Sequence, residues 1–91
     1  MDVKTSVREF LLSTSAASTV PAEEITDDYP LLSSGLLDSL AVYTLVVHLE
    51  KAFGITVRDQ ELHPGNFGTI ELITEFTEAK IHALAQSRES G

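Results

Sequence analysis

Few side chains in this 91-residue chain can do chemistry, and none of them is a cysteine. One hydroxyl stands out by its setting. Ser39 lies in Gly35-Leu36-Leu37-Asp38-Ser39-Leu40, a short polar pair inside a run of leucines. Such a serine could be a nucleophile, a helix-start residue, or the acceptor of a group that another enzyme adds. A serine hydrolase needs a base within hydrogen-bond reach and an oxyanion hole. There is no G-x-S-x-G elbow. On a continuous helix His48 lies about 13 Å from Ser39 by rise alone, too far to take its proton. His63 and His82 read as surface histidines. The three histidines show no ligand spacing, and without cysteine there is no thiolate metal site or disulfide framework. Glu23-Glu24 and Asp27-Asp28 lack the alternating spacing of a calcium loop and read as solvated charge. No metal is expected. What remains is a helix-start serine, or a serine held at a fixed point of the surface to bear a group that is handed to other proteins.

The elements that must hold Ser39 follow from periodicity. Val3, Val7, Phe10 and Leu11 mark one helix face, so a first helix is expected over about 3–15. It is capped by Asp2, or starts later at a Ser6/Glu9 capping box. Residues 16–37 are rich in Ser, Thr, Ala and Asp and are broken by Pro21 and Pro30. They read as a long loop, pinned across the core by Val20, Ile25, Leu31, Leu32 and Leu36. Long loops in small domains are often functional. Asp38 is a good N-cap, and no Gly or Pro interrupts the chain until Gly54. A second helix is therefore expected over about 38–53, with Val42, Leu45, Val46, Leu49 and Phe53 inward. It puts Ser39 in a first turn, where backbone N–H groups favour an anion on its oxygen. A short turn over about 59–67 and a last helix over about 69–85 follow, the latter with Ile70, Ile73, Thr77, Ile81 and Leu84 on one face. The tail 86–91 reads as frayed. The fold class is all-α, one domain over 1–91: a three- to four-helix bundle with a long loop between helices one and two.

Composition narrows the partners. Fourteen acidic residues face six basic ones, a net charge of −8. Nucleic acid and anionic membranes are poor partners for such a surface. A chain of this length has one thin core and little room for a deep enclosed site. No run is apolar enough to span a membrane, and the N-terminus lacks the order of a signal peptide. A cytoplasmic monomer is expected.

The stretch LLSSGLLDSLAVYTLVVHLEKAFGITV resembles the core of the acyl carrier protein family, the phosphopantetheine-binding carrier domains. The family's Asp-Ser-Leu motif maps onto Asp38, Ser39 and Leu40. Gly35, Leu49-Glu50, Phe53, Gly54-Ile55, Val57, Asn66-Phe67 and Thr69-Ile70 extend the likeness over about residues 3 to 84. The resemblance implies a bundle of acyl-carrier type. It implies that Ser39 receives 4'-phosphopantetheine from coenzyme A, transferred by a phosphopantetheinyl transferase. Acyl groups would ride on the arm as thioesters. The protein would then be a carrier and not an enzyme. Its further partners would be an acyl- or aminoacyl-loading ligase, an acyltransferase, a ketosynthase or the like, in fatty-acid, polyketide or related specialised biosynthesis. The form of the motif resembles discrete carriers.

The common fatty-acid form of that family carries a strongly acidic exposed face on helix two. Here the face is built from Leu40, Ala41, Tyr43, Thr44, Val47 and Lys51, with Asp38 and Glu50 its only acids. Either Tyr43 and Val47 complete the core, or the face is an interface with more apolar contact and less charge. The second option makes Leu37, Leu40, Tyr43, Thr44, Val47 and Lys51 the partner surface. Leu62, Phe67 and Ile70 either line a groove that shields cargo or belong to the core. An aminoacyl or peptidyl carrier fed by an adenylating enzyme is the alternative function. A small helical adaptor without a prosthetic group is the alternative of a different class.

Overall fold

Asp2 starts the first helix: its carboxylate accepts from the Thr5 backbone N–H (3.1 Å) and the Thr5 hydroxyl (2.9 Å). The structure, a computed structural model, describes residues 2–13 and 20–90, with backbone alone at 22 and 87–90. Helix α1 spans Val3–Ser13, α2 Ser39–Phe53, α3 Pro64–Phe67 and α4 Ile70–Ser90, and there is no strand among the described residues. Single 3-10 turns occupy Ala22–Glu24 and Asp59–Glu61. The expected end of α1 near residue 15 lies outside the described residues.

Two expectations for the helices need correction. Ser6 caps nothing. It is 2% exposed on the inner face of α1, and its Oγ lies 2.9 Å from His48 Nε2 on α2. The tail taken as frayed from 86 instead continues α4 to Ser90. Nothing in GlnSerArgGluSer breaks a helix, since it holds neither Gly nor Pro.

The core is one cluster. Val3, Val7 and Leu11 of α1 meet Leu45, Val46 and Leu49 of α2 and Ile70 and Ile73 of α4. The long connection adds Ile25, Leu31, Leu36 and Leu37, so it is a structural layer and not an excursion. Its polar backbone is tied down as well. The Leu31 N–H donates to the Gly68 carbonyl (2.8 Å), and the Glu71 N–H donates to the Asp27 carbonyl (3.0 Å). The Asp27 carboxylate takes Lys4 Nζ at 2.9 Å and Arg8 at 2.6 Å, and Arg8 also donates to the Ile25 carbonyl at 2.6 Å. One aspartate thus fastens the middle of the connection to both α1 and α4. The hydrogen bond from Lys4 holds the Asp27 carboxyl below its ordinary range, and the same bond raises the Lys4 ammonium.

Candidate functional site: the head of helix α2

The chain enters α2 through Gly35, whose φ of 83° is a left-handed conformation that glycine adopts without strain. Leu36 and Leu37 then turn inward. Asp38 follows with extended backbone, and its carboxylate accepts from the Ala41 N–H at 2.8 Å. This is a side-chain N-cap, so the helix start is fixed by the residue beside the serine. At the other end Gly54 adopts φ 68°, and its N–H closes on the Glu50 carbonyl at 2.9 Å. Glu50 also uses its carboxylate to hold the Val57 N–H at 2.9 Å, which aims the departing chain.

Ser39 is the first residue of α2 and is exposed. It faces a groove of about 560 Å³ lined on one side by Leu32, Leu37, Val42 and Asp38 and on the other by Leu62, His63, Pro64 and Phe67. The far wall is the turn-and-α3 segment. Its position depends on Glu61, whose carboxylate accepts from Lys80 Nζ of α4 (2.8 Å) and from the Arg58 N–H (2.9 Å). The Lys80 bond holds the Glu61 carboxyl below its usual range, helped by the Arg58 N–H. Asn66 adds a bond to the Glu61 carbonyl at 3.0 Å, and the Phe67 ring packs on Phe76 of α4 with centroids 5.3 Å apart. Leu62 and Phe67 line this groove. Ile70 does not; it is fully buried in the core.

The face of α2 running away from Ser39 is apolar and open. Leu40 is 76% exposed and Tyr43 63%, Thr44 and Lys51 are exposed, and Val47 is half-buried. Tyr43 therefore does not complete the core. Leu37 is the correction. At 1% exposure it is a core residue and cannot be part of a docking surface, because it precedes the cap and its side chain packs inward with Leu31 and Leu36. The histidines divide. His63 and His82 are exposed, whereas His48 is half-buried between Ser6 and the Phe10 ring (5.3 Å between centroids). No group of three or more potential metal ligands is gathered among the described residues. No helix there is long and apolar enough to cross a membrane.

An exposed hydroxyl on the first turn of a capped helix, beside an apolar groove, has room for a covalent arm and a surface for what the arm carries. The family model "Phosphopantetheine attachment site" matches residues 3–77, most of the chain and all of this site. The chain belongs to that family. It is a carrier domain, and its prosthetic group is 4'-phosphopantetheine. Domains of this kind work with a phosphopantetheinyl transferase and with biosynthetic enzymes. The residues at the site fit the group. Ser39 is free of any intramolecular side-chain hydrogen bond among the described residues, and the start of α2 offers backbone N–H groups to a phosphodiester. A solved chain titled "Crystal structure of FAD-dependent dehydrogenase" has the same fold as this carrier domain, with a TM-score of 0.65 and 22% identity over 78% of this chain and 97% of that one. A search of curated proteins found no match.

Proposed function

We propose that this carrier domain is an acyl carrier protein, with Ser39 as the residue that bears the arm. The arm supplies a thiol on which an acyl group is held as a thioester. The chain's own residues do the rest. Asp38 fixes the helix start and so the direction in which the Ser39 Oγ leaves the surface. Leu40 and Tyr43 give a visiting enzyme apolar area next to the attachment point, with Thr44, Val47 and Lys51 continuing the same face. The groove gives an apolar chain a place against Leu32, Val42, Leu62 and Phe67. Tethering raises the effective concentration of the cargo at a partner's site, so partner binding can be brief.

The observation that carries this reading is the exposed Ser39 on the rim of an apolar groove. Apart from Asp38, Ser39 and His63 that lining is apolar, which gives an aliphatic acyl chain a matching surface. The test begins with coenzyme A, a broad-specificity phosphopantetheinyl transferase and intact-mass measurement of wild type and Ser39→Ala. A gain of one phosphopantetheine in the wild type alone is expected. A gain in the variant would move the attachment site, and no gain in either would leave a helical adaptor. Mass analysis of protein loaded in its native host then separates acyl from aminoacyl cargo.

A further inference from the structure

Leu40, Thr44, Val47 and Lys51 follow one another along α2 at steps of four, three and four residues, which lines them up as one stripe with Tyr43 at its flank. The charges and hydroxyls around this stripe are mostly used within the chain. The Asp38 carboxylate takes the Ala41 N–H, and the Glu50 carboxylate takes the Val57 N–H. The Thr44 hydroxyl donates to the Leu40 carbonyl at 3.0 Å. Lys4, Arg8 and Lys80 are each held in an ion pair. The Lys51 ammonium is in none among the described residues, and Lys51 is exposed. The stripe is thus apolar where it starts, beside Ser39, and ends about 18 Å further along the helix in a single free cation.

The place where the stripe starts decides what covers it. An enzyme that works on cargo meets the far end of the arm and can stand an arm's length from the helix. The enzyme that installs the arm has no such freedom, because its active site must close on the Ser39 Oγ itself. Leu40 is the next residue and Tyr43 lies one turn on, both mostly in water. Closing on Ser39 therefore covers two large apolar side chains, which gain by leaving water, whereas a charged surface laid on them would lose its own. The same surface continued along the stripe meets Lys51. An ammonium at the rim of an interface favours a facing carboxylate and disfavours a facing cation. A basic docking patch is the natural complement of a chain with net charge −8, yet it does not match this stripe.

We propose that the phosphopantetheinyl transferase that modifies Ser39 docks along this stripe, with an apolar recess for Leu40 and Tyr43 and a carboxylate opposite Lys51. The inference rests on Ser39 being the attachment residue. The test is steady-state transfer from coenzyme A to unmodified full-length protein by the native host's transferase, followed by intact mass. It is run at low salt and at about 1 M salt, where the screening length is about 3 Å. Lys51→Glu is expected to raise KM about tenfold at low salt with kcat unchanged, and the difference should close at high salt. Lys51→Gln keeps a good helix former and should fall between the two. Leu40→Gln should raise KM about tenfold at both salt levels, since apolar contact is not screened. A wild-type KM in Lys51→Glu overturns the proposal and leaves Lys51 the role of offsetting the α2 dipole, which thermal unfolding would register. A KM below wild type in Lys51→Glu overturns it too and assigns the transferase a basic docking patch. A wild-type KM in Leu40→Gln overturns the apolar recess. All three outcomes leave the carrier reading intact. A protein that gains no mass in any form overturns the carrier reading and this one with it.

Discussion

Ser6 Oγ on α1 lies 2.9 Å from Nε2 of His48 on α2, joining two helices across 42 residues of sequence. Ser6 is buried, so its hydroxyl relies on this partner, while the half-buried imidazole can reach water. Removing the two members should therefore have unequal effects. His48→Leu leaves a buried hydroxyl unpaired and should cost about 1–3 kcal/mol. Ser6→Ala should cost no more than about 1 kcal/mol. Urea unfolding of both single variants and the double variant checks this. A double variant that adds its two parents' losses would mean that the pair carries no coupling.

Thr77 makes the opposite case. It is fully buried on α4, and its Oγ1 has no hydrogen-bond partner among the described residues. A buried hydroxyl without a partner is a net cost. Thr77→Val removes it at nearly constant volume and should stabilise the fold by about 1 kcal/mol. Thermal unfolding should show a higher midpoint, and a lower one would mean that the hydroxyl is satisfied in solution.

The Glu61–Lys80 pair should make the groove wall sensitive to acid. The Glu61 carboxyl is held below its usual value in the folded chain. Its stabilising effect is therefore present above the ordinary glutamate pKa of about 4.3 and is lost as the pH falls through the lower folded value. Lys80→Met keeps an apolar stem near the Phe76 ring, where the ammonium now sits 5.5 Å from the centroid, and removes the charge. Amide exchange across 59–67 should quicken in this variant at neutral pH, with α1 and α2 unchanged. Uniform quickening would mean that the pair stabilises the whole fold and not this segment.

The α2 face gives a prediction about partners. Tyr43→Glu with Val47→Glu should leave the circular dichroism of the chain unchanged and slow loading by the dedicated partner at least tenfold. Tyr43 lies mostly in water already, and a charge there must lose its water when an apolar surface covers it. Unchanged loading kinetics would move the interface elsewhere.

Asp38 tests the geometry of attachment. Its carboxylate is the side-chain cap of α2, so Asp38→Ala should cost about 1 kcal/mol and loosen the first turn. The rate at which a transferase modifies Ser39 should fall with it, measured by time-resolved intact mass. A variant as stable as wild type would remove Asp38 from the cap.

Much of this was legible in the sequence because local rules and global packing agree. Asp38 and Gly54 bracket an unbroken apolar stretch, and α2 lies between them. The anchors Ile25, Leu31 and Leu36 announced a pinned loop, and all three are buried. The misses are of a different kind. Ser6 has the spacing of a capping box, yet its burial depends on His48, 42 residues away, which no local pattern carries. Leu37 and Leu40 look alike in a leucine run. Only the turn made at Gly35 and the cap at Asp38 send one inward and leave the other in water. The Glu61–Lys80 pair arises from a segment folded by tertiary contacts, where sequence periodicity is silent.

Asp27 gives the molecule its mechanical character. Its side chain grips Lys4 and Arg8 while its carbonyl receives Glu71, so the longest span of the chain is riveted at mid-length to both neighbouring rods. Residues 20–38 are thereby held against both rods, which steadies the pedestal beneath residue 39. All the reach needed to visit distant catalysts must then come from the flexible pendant, while the base keeps its aim.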